Sequence, residues 1–254
     1  MNEGGFLYEE GIIEGRNAVI EALRVGRLID KVYVLKGSND ATVRHIVSKA
    51  KSAGAVVVDT DRRKLDQMSR TGTHQGVIAI AAAHEYASIS DILRRARQAG
   101  QAPLVVVCDE LSDPHNLGAI IRTADAAGAH GVIIPKRRSV SLTATVAKTS
   151  AGAIEYVPVA RVANISSALR ELKKEGLWVY GSSADAHEDM YQADLKGPAA
   201  IVIGNEGSGI SRLVAENCDV RVSIPMAGEM SSLNASAAAA VLLFEAVRQR
   251  NFVK

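Results

Sequence analysis

Cysteine is scarce. The chain of 254 residues holds only Cys108 and Cys218, without a CxxC spacing, so neither a disulfide framework nor a cysteine-based zinc site is expected. The six histidines are scattered without metal-ligand spacing, and no metal is predicted. Neither "GSSAD" nor "MSSLN" supplies the GxSxG of a serine hydrolase, so no serine nucleophile is predicted either. No apolar run approaches membrane-spanning length. The opening "MNEGGFLYEEGIIEG" is acidic where a signal peptide would be basic, so the protein is expected in the cytoplasm and outside membranes. A dominant charge is also absent, with 30 Lys and Arg against 28 Asp and Glu. Residues 1–100 hold 15 basic against 12 acidic side chains, an excess too small to establish nucleic-acid binding. Aromatic residues make up 4% of the chain, which says little about the bases an RNA reader would stack.

What is present is an apolar fraction of 47% built mainly from Ala, Val, Ile and Leu, as in α/β proteins. After a frayed start, "RNAVIEALRVG" predicts a helix, "DKVYVL" a strand, "ATVRHIVSKAKSAG" a helix, "AVVVD" a strand, "RKLDQMSRTG" a short helix and "GVIAIAA" a closing strand. These form a small α/β domain over residues 1–84. Residues 85–102, with the helical "ILRRARQAG" and Pro103 just beyond, read as a linker. From 103 to 254, strands "LVVVCD", "GVIIP", "LWVYGSS", "AAIVIG" and "VRVSIP" alternate with helices, one starting at Ser139 and the last being "NASAAAAVLLFEAVRQR". This pattern predicts a mostly parallel sheet covered on both faces, with ligands at the carboxyl ends of its strands. The last helix is apolar nearly all round and must be buried, in a core or against another chain.

Three of those strand ends carry unusual loops. "DPHNLGAIIRTADAAGAHG" at 113–131 places Asn116 as a helix N-cap and Arg122 inside the helix, ended by Gly128. An ordinary capped helix with Arg122 paired to Asp125 is the alternative. "AAIVIGNEGSGIS" brings three glycines and Glu206 to a strand end, where the backbone can approach a ligand closely. Its GxxGxG spacing and late position disfavour a nicotinamide oxidoreductase. "SIPMAGEMSSLNASAAAA" adds Pro225, Gly228, Ser232 and Asn234, with apolar Met226 and Leu233. Capping explains any one of these residues, but three such loops on one face favour a site.

"NLGAIIR", "IVIGNEGSGIS" and "IPMAGEMSSLNASAAAAVLLFEA" resemble, in order and spacing, the SpoU (TrmH) RNA 2′-O-ribose methyltransferases, and "EGRNAVIEAL" and "HQGV" extend the resemblance over nearly the whole chain. The resemblance implies an α/β methyltransferase domain with a deep trefoil knot, a ribosomal-protein-like RNA-binding domain in front of it, and a homodimer with the site near its interface. It implies S-adenosylmethionine as co-substrate, held by the backbone around Gly204, Ile224 and Leu233, with Met226 nearby and Ser183 at a neighbouring strand end. Asn116, Arg122, Glu206, Ser232 and Asn234 match the family's catalytic positions. The Arg is often described there as the general base, but a guanidinium stays protonated, which favours a phosphate clamp. Lys136, Arg137 and Arg138 are expected on RNA phosphates, a solvated loop being the alternative. Arg16, Asn17, His74 and Gln75 are the expected RNA contacts of the first domain. The reaction implied is methylation of a guanosine ribose in 23S rRNA. The alternatives are the same chemistry on tRNA, or an inactive RNA-binding ribosome-assembly factor.

Overall fold

The computed structural model describes residues 11–38 and 40–252; the expected frayed start lies outside them. The chain divides into two units, residues 1–85 with 141–144, and residues 86–140 with 145–254.

In the first unit β1 (Ile12–Glu14), α1 (Arg16–Arg24), β2 (Ile29–Leu35), α2 (Ala41–Ser52), β3 (Val56–Thr60), α3 (Arg62–Met68) and β4 (Val77–Ala81) follow one another. The sheet order is β1-β4-β2-β3, with β2 and β3 parallel and the other pairs antiparallel. β4 is thus interior. Val19, Ala22, Val43, Ile46 and Ala50 sit in one apolar cluster with Val32, Val34, Val77 and Ala79. The helical spacing of the first five gives the two helices one buried stripe.

Glu14 ties β1 to the loop before β4, accepting from Ser69 Oγ at 2.5 Å, Arg70 N at 2.8 Å and Thr71 Oγ1 at 2.8 Å. Burial alone raises its pKa, but these bonds outweigh it and hold the carboxyl below its usual value of 4.5. A group depressed in the folded state contributes stability above its unfolded pKa and loses it as pH falls through the folded one. Glu14→Gln is therefore expected to lower the melting temperature at pH 7, and by less below about pH 4. Thermal melts of both proteins across that range check it.

The segment expected as a linker is not one. It carries α4 (Ile89–Gln98), closed by a capping box between Ser88 and Asp91. Ile89, Ile92 and Leu93 are buried in the second unit's core with Val105, Val107 and Ile133. The division falls after Glu85, because this amphipathic helix covers a face of the second sheet.

The second unit continues with β5 (Leu104–Cys108), α5 (Pro114–Ala126), β6 (Gly131–Pro135), α6 (Ala144–Thr149), β7 (Val159–Val162), α7 (Ile165–Lys174), β8 (Trp178–Ser182), β9 (Glu188–Asp189), β10 (Ala199–Ile203), α8 (Arg212–Ala215), β11 (Val220–Ser223) and α9 (Ala235–Asn251). The strand order is β7-β6-β5-β10-β8-β11-β9, and every pairing is parallel. β5 and β10 are buried along their whole length, as central strands covered on both faces must be. α6 starts at Ala144 and not at Ser139; Val140 N donates instead to Leu111 O at 2.7 Å. α9 is not buried all round. Ala235, Ala239, Leu242, Leu243 and Ala246 face inward, while Phe244 is 49% exposed.

Candidate active site

Three loops leave the carboxyl ends of β5, β10 and β11 and meet. At β5, Asp109 is buried and its Oδ2 accepts from Ser211 N at 2.7 Å. α5 then starts two residues before Asn116. Asp113 is the N-cap, its side chain accepting from His115 N at 2.8 Å, and Pro114 takes the first helical position. Both are favoured there: Asp satisfies an unbonded N–H, and Pro has none to satisfy. Asn116, expected as the cap, is instead buried inside the first turn with its amide free for other partners. Gly118 lets α5 come close to α6, since a Cβ there would lie 2.6 Å from Thr149 Cβ.

β10 runs on into Gly204, where a Cβ would lie 2.2 Å from the carbonyl carbon of Gly209. Asn205 and Gly209 exchange backbone hydrogen bonds of 2.9 and 2.8 Å, and Asn205 Oδ1 accepts from Gly207 N at 2.9 Å. Asn205 Nδ2 donates to Glu110 O at 3.2 Å, pinning the hairpin to the β5 loop. Glu206 stands on this closed hairpin.

Glu206 Oε1 is the meeting point. It accepts from Asn116 Nδ2 at 2.8 Å, from Asn234 Nδ2, and from Ala235 N at 3.4 Å. Asn234 Nδ2 also donates to Asn116 Oδ1 at 2.9 Å. The Oδ1 of Asn234 caps α9, accepting from Ser236 N at 2.9 Å and Ala237 N at 3.3 Å. One asparagine thus starts the last helix and ties it to the other two loops.

Beside this network lies a cleft of about 490 Å³, within the range of roughly 300–1,000 Å³ usual for small-molecule sites. Gly204, Glu206, Ile224, Met226, Ser232, Leu233 and Ser183 all line it. Ser183 Oγ donates to Asp185. That bond, with Arg221 at 3.7 Å, holds the Asp185 carboxyl below its usual range. Burial pushes the thiols of Cys108 and Cys218 up to about 12 and about 11, so neither is a nucleophile at neutral pH. Among the described residues no group of His, Cys, Asp and Glu is arranged to hold a metal ion.

Arg122 is the catalytic candidate the structure does not bring to the network. It is exposed on α5, is absent from the cleft lining, and makes no hydrogen bond or ion pair among the described residues. The alternative pairing with Asp125 is not formed. In the basic loop Arg137 is exposed, Lys136 is half-buried, and Arg138 Nη1 lies 3.5 Å from Glu110.

The first unit's candidates divide into builders and exposed groups. His74 is 5% exposed, its Nδ1 accepts from Gly76 N at 3.0 Å, and its Nε2 is 2.9 Å from Asp66. It supports the turn from within and is not a surface contact. Arg16 donates to Gln75 O at 3.1 Å and pairs with Asp40 at 2.9 Å, while Asn17 and Gln75 are exposed. Sequence reading missed Asp109, Asn205 and Asp185. The signal for Asn205 was present, because Asn before a Gly-rich turn accepts from backbone N–H groups two residues on.

Residues 103–244 match the model of the SpoU rRNA Methylase family, and residues 12–87 match a model described as RNA 2′-O ribose methyltransferase substrate binding. The Bacillus subtilis (strain 168) protein YacO, named for the TrmH family of tRNA/rRNA methyltransferases, is 49% identical over 237 residues, 93% of this chain and 95% of that one. A Staphylococcus haemolyticus (strain JCSC1435) protein of the same family name is 45% identical over 96% of this chain and 98% of its own. Among solved structures, the SpoU methyltransferase AviRb from Streptomyces viridochromogenes, in complex with AdoMet, superposes with a TM-score of 0.62 at 26% identity, covering 97% of this chain and 92% of that one. An AdoMet-bound rRNA methyltransferase from Sinorhizobium meliloti gives 0.60 at 28% identity, covering 96% and 88%. With its three strand-end loops joined through Glu206 and more than half its length matched by one family model, the chain belongs to the SpoU rRNA methylase family.

Proposed function

We propose that this protein transfers a methyl group from S-adenosylmethionine to the ribose 2′-hydroxyl of a guanosine in 23S rRNA, working as a cytoplasmic homodimer. The observation that carries the reading is the Asn116–Glu206–Asn234 network on the rim of the cleft. The residues present suit the co-substrate. Ile203, Val222, Ile224, Met226 and Leu233 offer apolar surface for an adenine ring and a methionine side-chain stem. The carboxylates of Glu206 and Asp185 offer acceptors for hydroxyl and ammonium groups. When bound, S-adenosylmethionine supplies a methyl on a sulfonium, open to attack from the side opposite the leaving sulfur.

The chain's own residues have three tasks. The Gly204 hairpin and the loop from Ile224 to Leu233 wall the cleft and limit water. Glu206, locked by three donors, fixes both loop ends at once, and fixed geometry is worth more to a displacement than any single contact. Ser232 also lines the cleft, and its proposed task is to bond the attacking hydroxyl, whose proton passes to solvent as the oxygen–carbon bond forms and the carbon–sulfur bond breaks. Arg122 remains charged throughout, and its task is to clamp an RNA phosphate and offset developing negative charge. Its exposed, unpaired guanidinium suits a partner that arrives from outside the protomer. The apolar outer face of α9 with Phe244 is proposed as the contact with a second copy, and Lys136, Arg137 and Arg138 as phosphate contacts. The trefoil knot belongs to the same reading.

The test is methyl transfer from radiolabelled S-adenosylmethionine into unmodified 23S rRNA, 16S rRNA and tRNA. Label at a guanosine ribose of 23S rRNA is the expected result; label only in tRNA overturns the substrate, and no label in any RNA overturns the activity. The relatives' shared name, tRNA/rRNA methyltransferase, keeps the tRNA arm necessary. In the same assay Arg122→Lys is expected to fall at least about tenfold, because an ammonium keeps the charge but not the paired geometry on phosphate. A near-normal rate would show that charge alone suffices.

A further inference from the structure

The first unit gathers its loops at one end of its sheet, and the backbone shows their order. Lys36 N donates to Thr60 O at 2.7 Å, Leu35 N to Gly76 O at 2.8 Å, and Gly15 N to Val77 O at 3.1 Å. Arg16 spans Gln75 and Asp40. The turns 14–17, 36–38, 60–63 and 69–76 therefore form one continuous surface, with Asp40 beside it.

The charges on that surface are unevenly used. Its carboxylates are spent on holding the loops. Glu14 binds the 69–71 turn, Asp40 caps α2 through Val43 N at 3.0 Å, Asp61 caps α3 through Lys64 N at 2.8 Å, and Asp66 sits on His74. Asp59 lines a separate groove with Arg44 and Lys51. The side chains of Lys36, Arg62 and Arg63 are exposed and make no hydrogen bond or ion pair among the described residues. Arg62, Arg63 and Lys64 open α3, and no acidic residue stands in its first turn. Cations at a helix start oppose the peptide dipoles, so this run costs the fold a little. The opposite end of the unit differs: Arg24 is paired with Glu21 at 2.5 Å, and Lys49 and Lys51 lie in the last turn of α2, where the dipole favours them.

We infer that Lys36, Arg62 and Arg63 form a phosphate-binding face for substrate RNA, on a platform that Glu14, Arg16 and His74 build from beneath. The inference rests on the RNA methyltransferase reading above and adds residues to it. The three cations spread across adjoining turns, as a chain of phosphates requires, and carry no aromatic side chain between them. The face therefore grips backbone and leaves base choice to other parts of the protein.

The test uses the full chain and fluorescently labelled, unmodified 23S rRNA and tRNA transcripts, with affinity measured across a salt series. Each phosphate contact with unpaired RNA contributes about 0.7 to the slope of log affinity against log salt. The triple variant K36Q/R62Q/R63Q is expected to flatten that slope by about 2, to raise the KM for RNA and to leave S-adenosylmethionine binding unchanged. The control R24Q/K49Q/K51Q removes the same number of charges and is expected to keep the wild-type slope. An unchanged slope in the first variant overturns the inference, and so does an equal loss in both. RNA binding that follows this pattern without methyl transfer by the wild-type protein would sink the catalytic reading and leave the face standing. No RNA binding by the wild-type protein would sink both.

Discussion

Glu206→Ala is expected to lower methyl transfer at least about 100-fold, the scale on which misplacing reacting groups by an ångström acts. The carboxylate is the shared acceptor of Asn116 Nδ2, Asn234 Nδ2 and Ala235 N. Its removal leaves the buried Asn116 amide short of a partner, at a cost of about 1–3 kcal/mol. That cost is relieved only if the α5 and α9 loops move apart. Glu206→Gln separates geometry from charge, because its carbonyl oxygen can still accept while its amide adds a donor. A Gln variant with nearly full rate would mean that Glu206 acts by holding the loops. A Gln variant as slow as the Ala variant would mean that the negative charge itself is needed in the cleft. Single-turnover rates of both, beside their affinity for S-adenosylmethionine, read the difference. A full rate for the Ala variant would remove Glu206 from the site altogether.

Gly204→Ala is expected to have the second largest effect. The added methyl would sit 2.2 Å from Gly209 C, 2.3 Å from Ile210 N and 2.4 Å from Gly209 O. All three are backbone atoms, so no rotamer change relieves the clash. The hairpin closed by Asn205 and Gly209 must open, and overpacking of this kind costs about 1–3 kcal/mol, or several degrees of melting temperature in a chain this size. Since the same hairpin walls the cleft and carries Glu206, binding of S-adenosylmethionine is expected to weaken by more than about tenfold, a change of 1.4 kcal/mol. Calorimetry and a thermal melt measure the two losses separately. Wild-type binding with a lowered melting temperature would mean that the hairpin does not shape the cleft.

The sheet was legible because its signals are long. Five apolar strands alternating with amphipathic helices leave few arrangements, and a buried parallel sheet is the simplest. β1 and β9 are three and two residues long and carry no periodicity to read; pairing with β4 and β11 alone defines them. α4 was legible as a helix and illegible in its allegiance, because an apolar stripe does not say which sheet it covers. At the site, the loops were found by composition and the cap was misplaced by three residues. Asp113 and Asn116 both have capping side chains, and only Pro114 between them argues for the earlier start. His74 shows the limit from the other side. A histidine in a turn of Thr, Gln and Gly reads as exposed, and only the bonds to Asp66 and Gly76 reveal that it is buried.

The double duty of Asn234 has a consequence for the order in which the protein comes into being. Chains are made and begin folding from the N-terminus, and most of this sheet can assemble before residue 234 is joined. Yet Asn116 and Glu206 gain their common partner only when Asn234 arrives, and Asn234 is positioned by capping a helix made from the residues after it. A nascent chain halted before α9 would carry the cleft's glycine hairpin without the clamp that sets it. The clamp on the cleft is thus set only once α9 has formed behind Asn234.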